Sequence, residues 1–413
     1  MGRPSAAPPL GADLRGAARD QVIALIDLAV LLATSAKGVA PRVEQLNAIG
    51  ADAPDRRLDP AAVVTDEIIS RLGWAWEHGW QPLDLVHAAR RQSSKQVVSW
   101  IALAVLAEAD TSAAVRRAPQ AWADQITALL DRHGRGVDLA VLLPTSGRAS
   151  VEQWYAALAA LRLLRILPAS QLLLPPPSTW GRGSAPPVVR ERPDEQRAKM
   201  LTKVRALLAK AESTDFAAEA DALTAKAQDL MARHSIDEAL LTAHDEQSFD
   251  VGGVRVLIEQ PYALDKATLL HVVAEANRVR AIWNEFASCV TLIGTPTDVS
   301  QVDMLFTSTL VQATRAMTQA DLSTAAFRRS FLHSFAVRIG ERLTASAEEA
   351  VASYGHALVP VLERQGEAID EEVERLFPHL TSRSRRRTFD ARGWNAGRQA
   401  ADAATLPAGE VGT

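Results

Sequence analysis

The stretch from Lys199 to Asp237 constrains the fold most strongly, because its apolar residues recur at helical spacing in two consecutive segments. The apolar stripe of the first segment consists of Leu201, Val204, Leu208 and Ala211. Lys and Arg residues fall largely outside that stripe, which predicts an amphipathic helix with a basic outer face. The second segment carries one continuous apolar seam, formed by Phe216, Ala220, Leu223, Ala227 and Leu230. Such a seam is typical of a helix that packs along a neighbouring helix.

The residues between the two segments predict a tight turn. Ser213, Thr214 and Asp215 are good N-cap residues, because their short side-chain oxygens can accept a hydrogen bond from an unpaired backbone N–H. A connection this short joins antiparallel neighbours, so the two helices are predicted to form an αα-hairpin. Ser235 and Glu238 match a capping box and predict a third, short helix.

This hairpin sequence resembles the bacterial and phage family known as domain of unknown function 2786. The resemblance lies in the segment KVRALLAKAESTDFAAEADALTAKAQDLMARHSID. The residues beyond it, up to about Arg398, resemble the companion region that often follows that domain. The family has no established activity, so the resemblance identifies the hairpin and implies no catalytic residue.

The composition is that of a globular protein with a substantial core. The chain has 413 residues, enough for two or three domains, of which 47% are hydrophobic and 23% charged. Its net charge of −4 excludes a global attraction to nucleic acid, so any such affinity requires a local basic patch. A single cysteine, Cys289, excludes an intramolecular disulfide and favours a reducing compartment. The N-terminus lacks the apolar core of a signal peptide, and we predict a soluble cytoplasmic protein with no membrane partner.

The distribution of patterns along the chain predicts a mainly α protein. An all-helical N-terminal domain is followed by an α+β C-terminal domain that contains the helical hairpin and a small sheet of three strands. A segment rich in Pro, Gly and Arg separates the two and is predicted to be a linker. The predicted ranges are 1–12 disordered, 13–173 N-terminal domain, 174–195 linker, 196–245 hairpin, 246–405 α+β domain and 406–413 disordered tail.

The motif search gives few signs of catalysis. The chain has no P-loop, HExxH, CxxC or GxSxG motif, no dinucleotide fingerprint and no metal-ligand spacing, so neither a cofactor nor a metal is predicted. One weak constellation consists of Cys289, His333 and Asp298, in which a thiol would require a base and an orienting carboxylate. Cys289 lies in the strand-like segment CVTLIG, where a cysteine is more typical of a small buried apolar residue.

Two local basic clusters stand out in this acidic chain. Each has a balance of +5, one between residues 178 and 210 and the other between residues 382 and 398. The candidate nucleic-acid-binding residues of these clusters are Arg197, Lys199, Lys203, Arg205, Lys210, Arg383, Arg385, Arg386, Arg387, Arg392 and Arg398. Trp180 and Trp394 lie beside the charges and could stack on bases, as aromatic residues do in single-strand binders. The alternative is a solvated helix face in the first cluster and a loop paired with the acidic helix at 370–374 in the second.

Three functional hypotheses remain open. The preferred one is a non-catalytic binding protein with nucleic acid as the ligand. The second is a hydrolase-like enzyme with its site in the α+β domain, near Cys289, Asp298 and His333. The third is a protein–protein adaptor that acts through the tryptophan-rich stretch from Trp74 to Trp80 or through the hairpin.

Overall fold

The computed structural model describes most of the chain, in two compact units, residues 1–186 and 187–413. The described residues are 10–134, 138–181, 195–213, 226–227, 230–231, 233–236, 239–240, 248–319, 324–354, 358–381 and 389–404. The protein is mainly α, with one small antiparallel sheet in the second unit. The predicted fold class is therefore confirmed.

Every regular element described in the first unit is a helix, and turns or coil connect these helices. Its α-helices are α1 (Leu10–Leu32), α2 (Ala36–Asp52), α3 (Pro60–Glu77), α4 (Pro82–Gln92), α5 (Lys95–Thr111), α6 (Gln120–His133), α7 (Leu139–Leu142) and α8 (Val151–Arg165). Local sequence fixes several helix starts: Asp59 caps α3 ahead of Pro60, and Ser150 forms a capping box with Gln153 at α8. These signals show that local sequence specifies where these two helices begin.

The tryptophan-rich stretch packs into the core of the first unit. Trp76 and Trp80 are 4% and 3% exposed, and the Trp76 indole N–H donates a hydrogen bond of 2.9 Å to Glu108. The pKa of Glu108 is raised by burial, and the hydrogen bond from Trp76 opposes that rise. Trp74 stacks on His78. These contacts place the two buried indoles in the interior, away from any surface that a partner protein could reach.

The first part of the predicted linker packs against the first unit. Ser178 donates hydrogen bonds from its backbone N–H and its hydroxyl to Glu77, at 2.7 and 2.8 Å. Trp180 is 9% exposed and lies edge-on to Trp122, with ring centroids 5.1 Å apart. The rest of the predicted linker, residues 182–194, lies outside the described residues.

The second unit combines one sheet with long helices. Its strands are β1 (Gly252–Leu257), β2 (Arg280–Asn284) and β3 (Cys289–Gly294). The α-helices that the structure describes from end to end are α9 (Glu195–Ser213), α10 (Ala263–Ala276), α11 (Pro296–Gln319), α12 (Ala325–Tyr354), α13 (Val359–Leu376) and α14 (Ala391–Asp402). The strand order is β1-β3-β2, both pairs are antiparallel, and every residue of β3 is buried.

The core of the second unit lies where α10 and α11 pack on the sheet and where α12 packs on α10. Leu270, Val273, Phe335 and Ile339 are fully buried there. The buried residues Val204 and Leu208 of α9, and Ala227 and Met231 of the hairpin segment, belong to the same core. The side chains of 211–213 and the turn and seam residues 214–225 of the predicted hairpin lie outside what the structure describes.

Candidate functional site

Three lysines form a row along one flank of α9. With 3.6 residues per turn, positions 199, 203 and 210 fall within a sector of about 40° and span roughly 16 Å of helix axis. Lys199, Lys203 and Lys210 are exposed, whereas Val204 and Leu208 are buried in the core. We call Lys199, Lys203 and Lys210 the lysine row. It results directly from the amphipathic pattern of α9, because the apolar stripe fixes the helix on the core and leaves this flank in solvent.

Arg205 lies on the other flank of α9 and faces an acidic residue. Partial desolvation raises the pKa of Asp303 in α11, although this residue is solvent-exposed, and the positive charge of Arg205 opposes that rise. Arg205 is therefore separated from the lysine row, and the negative charge of Asp303 offsets part of its positive charge. The side chain of Arg197 lies outside the described residues.

The second basic cluster divides into residues with different surroundings. Arg392 is exposed at the start of α14. Arg398 donates two hydrogen bonds of 3.2 Å to the carboxylate of Glu341 in α12, and Arg338 binds the same carboxylate. These hydrogen bonds, that of Arg338 first, lower the pKa of Glu341. The charge of Arg398 is thus offset by Glu341. Arg392 presents its charge to solvent.

The four central arginines of the second cluster are Arg383, Arg385, Arg386 and Arg387, and they lie outside the described residues. Their role therefore remains a prediction from sequence.

The two tryptophans that were expected beside the clusters have opposite environments. Trp180 is buried in the first unit, and its indole N–H donates to the carbonyl of Pro175, so the expectation that it stacks on a ligand was wrong. Trp394 is half-buried on α14, with its ring centroid 5.8 Å from that of Phe389 and 5.7 Å from that of His333. Phe389 is 67% exposed. Of the two, Trp394 belongs to the surface.

Cys289, Asp298 and His333 lie in three different settings. Cys289 is fully buried in β3, opposite Leu257 on one side and Asn284 on the other. His333 lies in α12 beside Trp394. Asp298 is fully buried in the first turn of α11, and its polar contacts among the described residues include neither of the other two. A thiol–imidazole–carboxylate relay through Asp298 therefore has no geometric support.

Asp298 is the centre of a buried polar network. Its carboxylate accepts hydrogen bonds from the hydroxyl of Ser235 at 2.5 Å, the hydroxyl of Thr295 at 2.9 Å and the amide of Gln365 at 2.7 Å. Arg278 donates to the Ser235 oxygen at 2.8 Å and lies 3.7 Å from Asp298 Oδ1. Both carboxylate oxygens are thus engaged, which suits an anchor between segments better than a general base that must reach a substrate.

The network attaches the hairpin segment to the α+β part of the second unit. Ser235 lies in helical backbone and its hydroxyl donates to Asp298, whereas Glu238, its partner in the predicted capping box, lies outside the described residues. Nearby, Gln301 in α11 donates to the carbonyl of Met231 at 3.0 Å. Within the described residues, the buried atoms Arg278 Nε, Thr297 Oγ1 and Gln365 Oε1 make no hydrogen bond.

Sequence reasoning missed most of this network, although two signals were present. Thr295 and Asp298 form a Thr-x-x-Asp pattern at a helix start, which is a capping pattern. Gln365 lies at helical spacing between Val361 and Ile369, so a polar residue occupies the buried stripe of α13. Arg278 carried no comparable signal, because it follows the end of α10 and belongs to no helical stripe or capping pattern.

Comparison with known proteins identifies one segment of the chain. The family model described as "Protein of unknown function (DUF2786)" matches residues 199–238, which hold the lysine row and Ser235. Neither the curated proteins nor the solved structures contain a match to the chain. Among the described residues, no group of His, Cys, Asp and Glu could hold a metal ion, and no described helix is long and apolar enough to cross a membrane.

Proposed function

We propose that this chain is a non-catalytic nucleic-acid-binding protein of the cytoplasm that contacts phosphates through the lysine row. The observation that carries the proposal is the alignment of three exposed lysines on one flank of a helix whose other side is fixed in the core. Lysine is a common point-charge ligand of phosphate. Because the whole chain is at −4, this row is a local charge feature and not part of a general basicity.

The second cluster supplies the other contacts in this proposal. Arg392 is exposed, and Arg383, Arg385, Arg386 and Arg387 precede it within ten residues of sequence. Arginine suits phosphate because its planar guanidinium can donate two parallel hydrogen bonds. Arg205 and Arg398 have smaller roles here, since Asp303 and Glu341 oppose their charges.

The enzyme hypothesis has less support. Cys289 is buried in the central strand, and the carboxylate of Asp298 is engaged by three donors inside the unit. The adaptor hypothesis also has less support, because Trp76 and Trp80 are buried in the core of the first unit and cannot contact a partner. Binding through surface charge requires neither a reactive group nor an exposed apolar face.

The test is the salt dependence of binding. We expect a variant with Lys199→Gln, Lys203→Gln and Lys210→Gln to bind labelled DNA or RNA more weakly, regardless of base sequence. Three lost phosphate contacts should flatten the log–log salt slope by about 2 to 3, since each contributes roughly 0.9 for duplex and 0.7 for single strands. Fluorescence anisotropy at several salt concentrations measures both quantities.

A matched control removes the same charge elsewhere. Lys37, Arg57 and Lys95 are exposed in the first unit, and their joint change to Gln should leave the slope unchanged. Replacing Arg383, Arg385, Arg386 and Arg387 by Gln should flatten the slope by up to about 3 to 4. Failure of the wild-type chain to bind any oligonucleotide below about 10⁻⁴ M at low salt would eliminate the proposed function.

A further inference from the structure

An exposed aromatic pair lies where α14 meets α12. Phe389 precedes α14 and is 67% exposed, and its ring neighbours that of Trp394, which in turn lies edge-on to His333 of α12. We call Phe389 and Trp394 the aromatic pair. A phenylalanine with two thirds of its surface in water gains little from burial, so packing alone does not account for its position.

The backbone around the aromatic pair is firmly held. Asp390, the residue after Phe389, donates its N–H to the hydroxyl of Ser330 in α12 at 2.9 Å. Its own carboxylate caps α14 by accepting from the N–H of Gly393, also at 2.9 Å. The backbone that follows Phe389 is thus held by two hydrogen bonds of Asp390, one to α12 and one within α14.

Two exposed arginines lie near the aromatic pair along the chain or along α12. Arg392 is exposed three residues after Phe389, and Arg329 is exposed one helical turn before His333, whose ring neighbours that of Trp394. Asp390, the acidic residue between Phe389 and Arg392, is engaged as the cap of α14. Aromatic faces flanked by positive charge match the chemistry of a polyanion that carries flat rings.

We infer that the aromatic pair is a stacking platform for the unpaired bases of a single-stranded nucleic acid. This inference rests on the proposed function and narrows its ligand, because ring faces are accessible only in bases that are not stacked within a duplex. Arg392 and Arg329 would contact the phosphates beside the stacked bases. The lysine row, by contrast, is indifferent to strandedness.

The experiment compares three labelled ligands of equal length, each at several salt concentrations: a single-stranded oligothymidylate, the same strand with abasic positions, and a duplex. Phe389→Ala should weaken binding to the oligothymidylate about 5- to 150-fold, the effect of losing one stacked base. It should leave the abasic strand and the duplex nearly unaffected, and it should not change the salt slope, because no charge is removed.

Two further variants separate stacking from general apolar contact. Phe389→Tyr keeps the ring and should bind like the wild-type chain. Leu380→Ala removes another exposed apolar side chain of the same unit, 54% exposed, and should have no effect. Because Phe389 is exposed, its replacement should leave the fold intact, which circular dichroism checks.

The outcomes distinguish the two proposals. Equal affinity of Phe389→Ala and wild type for the oligothymidylate, with a salt slope that still depends on the lysine row, would overturn the platform and leave the proposed function standing. Equal wild-type affinity for the abasic strand and the oligothymidylate would also overturn it. Absence of wild-type binding to all three ligands would contradict both the proposed function and the stacking platform, and would indicate another kind of partner for the exposed rings.

Discussion

At the scale of single residues, the environment of a carboxylate decides what it contributes. Asp298 is fully buried and accepts from Ser235, Thr295 and Gln365, whereas Asp370 pairs with Arg280 at the surface, where both side chains are at least half exposed. A buried carboxylate has lost its water and depends on these donors. An exposed one exchanges its partner for water at little cost.

We therefore expect Asp298→Ala to destabilise the second unit by about 3 to 5 kcal/mol, because it leaves three donors unmatched and the Arg278 charge without its counterion. Asp370→Ala is the matched control and should cost less than about 1 kcal/mol. Urea denaturation followed by circular dichroism measures both. Similar losses at the two positions would show that the network around Asp298 is not an anchor.

At the scale of elements, the contact between α12 and α14 depends on two glycines. A Cβ atom at Gly393 would lie 2.4 Å from the carbonyl oxygen of Phe327, and one at Gly397 would lie 2.2 Å from that of Phe331. The two helix backbones therefore touch directly, a packing that any larger residue would force apart. This close approach also sets the position of Trp394 beside His333.

Gly397→Ala should accordingly destabilise the second unit by about 1 to 3 kcal/mol, the usual cost of overpacking. Gly366 in α13 is the matched control, since a Cβ there would meet no atom within 4 Å. Gly366→Ala should stabilise the chain by roughly 0.5 to 1 kcal/mol, because alanine is the better helix former. Thermal and urea unfolding give the sign of each change, and equal signs would contradict the proposed helix contact.

At the scale of the whole molecule, the chain consists of two units, residues 1–186 and 187–413. Ser178 and Trp180 pack on the first unit, so the segment from 175 to 181 is held by hydrogen bonds and ring contacts. The sequence that follows is rich in Pro, Gly and Arg and has no apolar period. Residues 175–181 therefore belong to the first unit, and we expect the accessible boundary between the units to follow residue 181.

Limited trypsin digestion should thus cut first at Arg182 or Arg190 and give two stable fragments. Arg71 and Arg162 of the first unit are the internal controls and should be cut much later, because they lie within helices. Intact-mass spectrometry of a time course identifies the sites. Early cleavage at Arg71 or Arg162, with Arg182 and Arg190 intact, would contradict the two-unit organisation.

The sequence by itself determined the helical character, the three strands, the basic face of α9 and the family segment. Each of these depends on spacing between near neighbours in the chain, which the 3.6-residue and two-residue periods encode. The helical period also determines the lysine row, because a helix that buries Val204 and Leu208 must place Lys199, Lys203 and Lys210 on its flank.

Only the tertiary structure decided which polar and aromatic residues meet. Ser235 and Asp298 are 63 positions apart and Gln365 and Asp298 are 67 apart, so their contacts depend on how whole helices pack. The same holds for Trp180 and Trp394, whose sequence surroundings are alike but whose burial differs. Burial and partner choice are properties of the assembled core, where long-range contacts exclude water, and no local period records them.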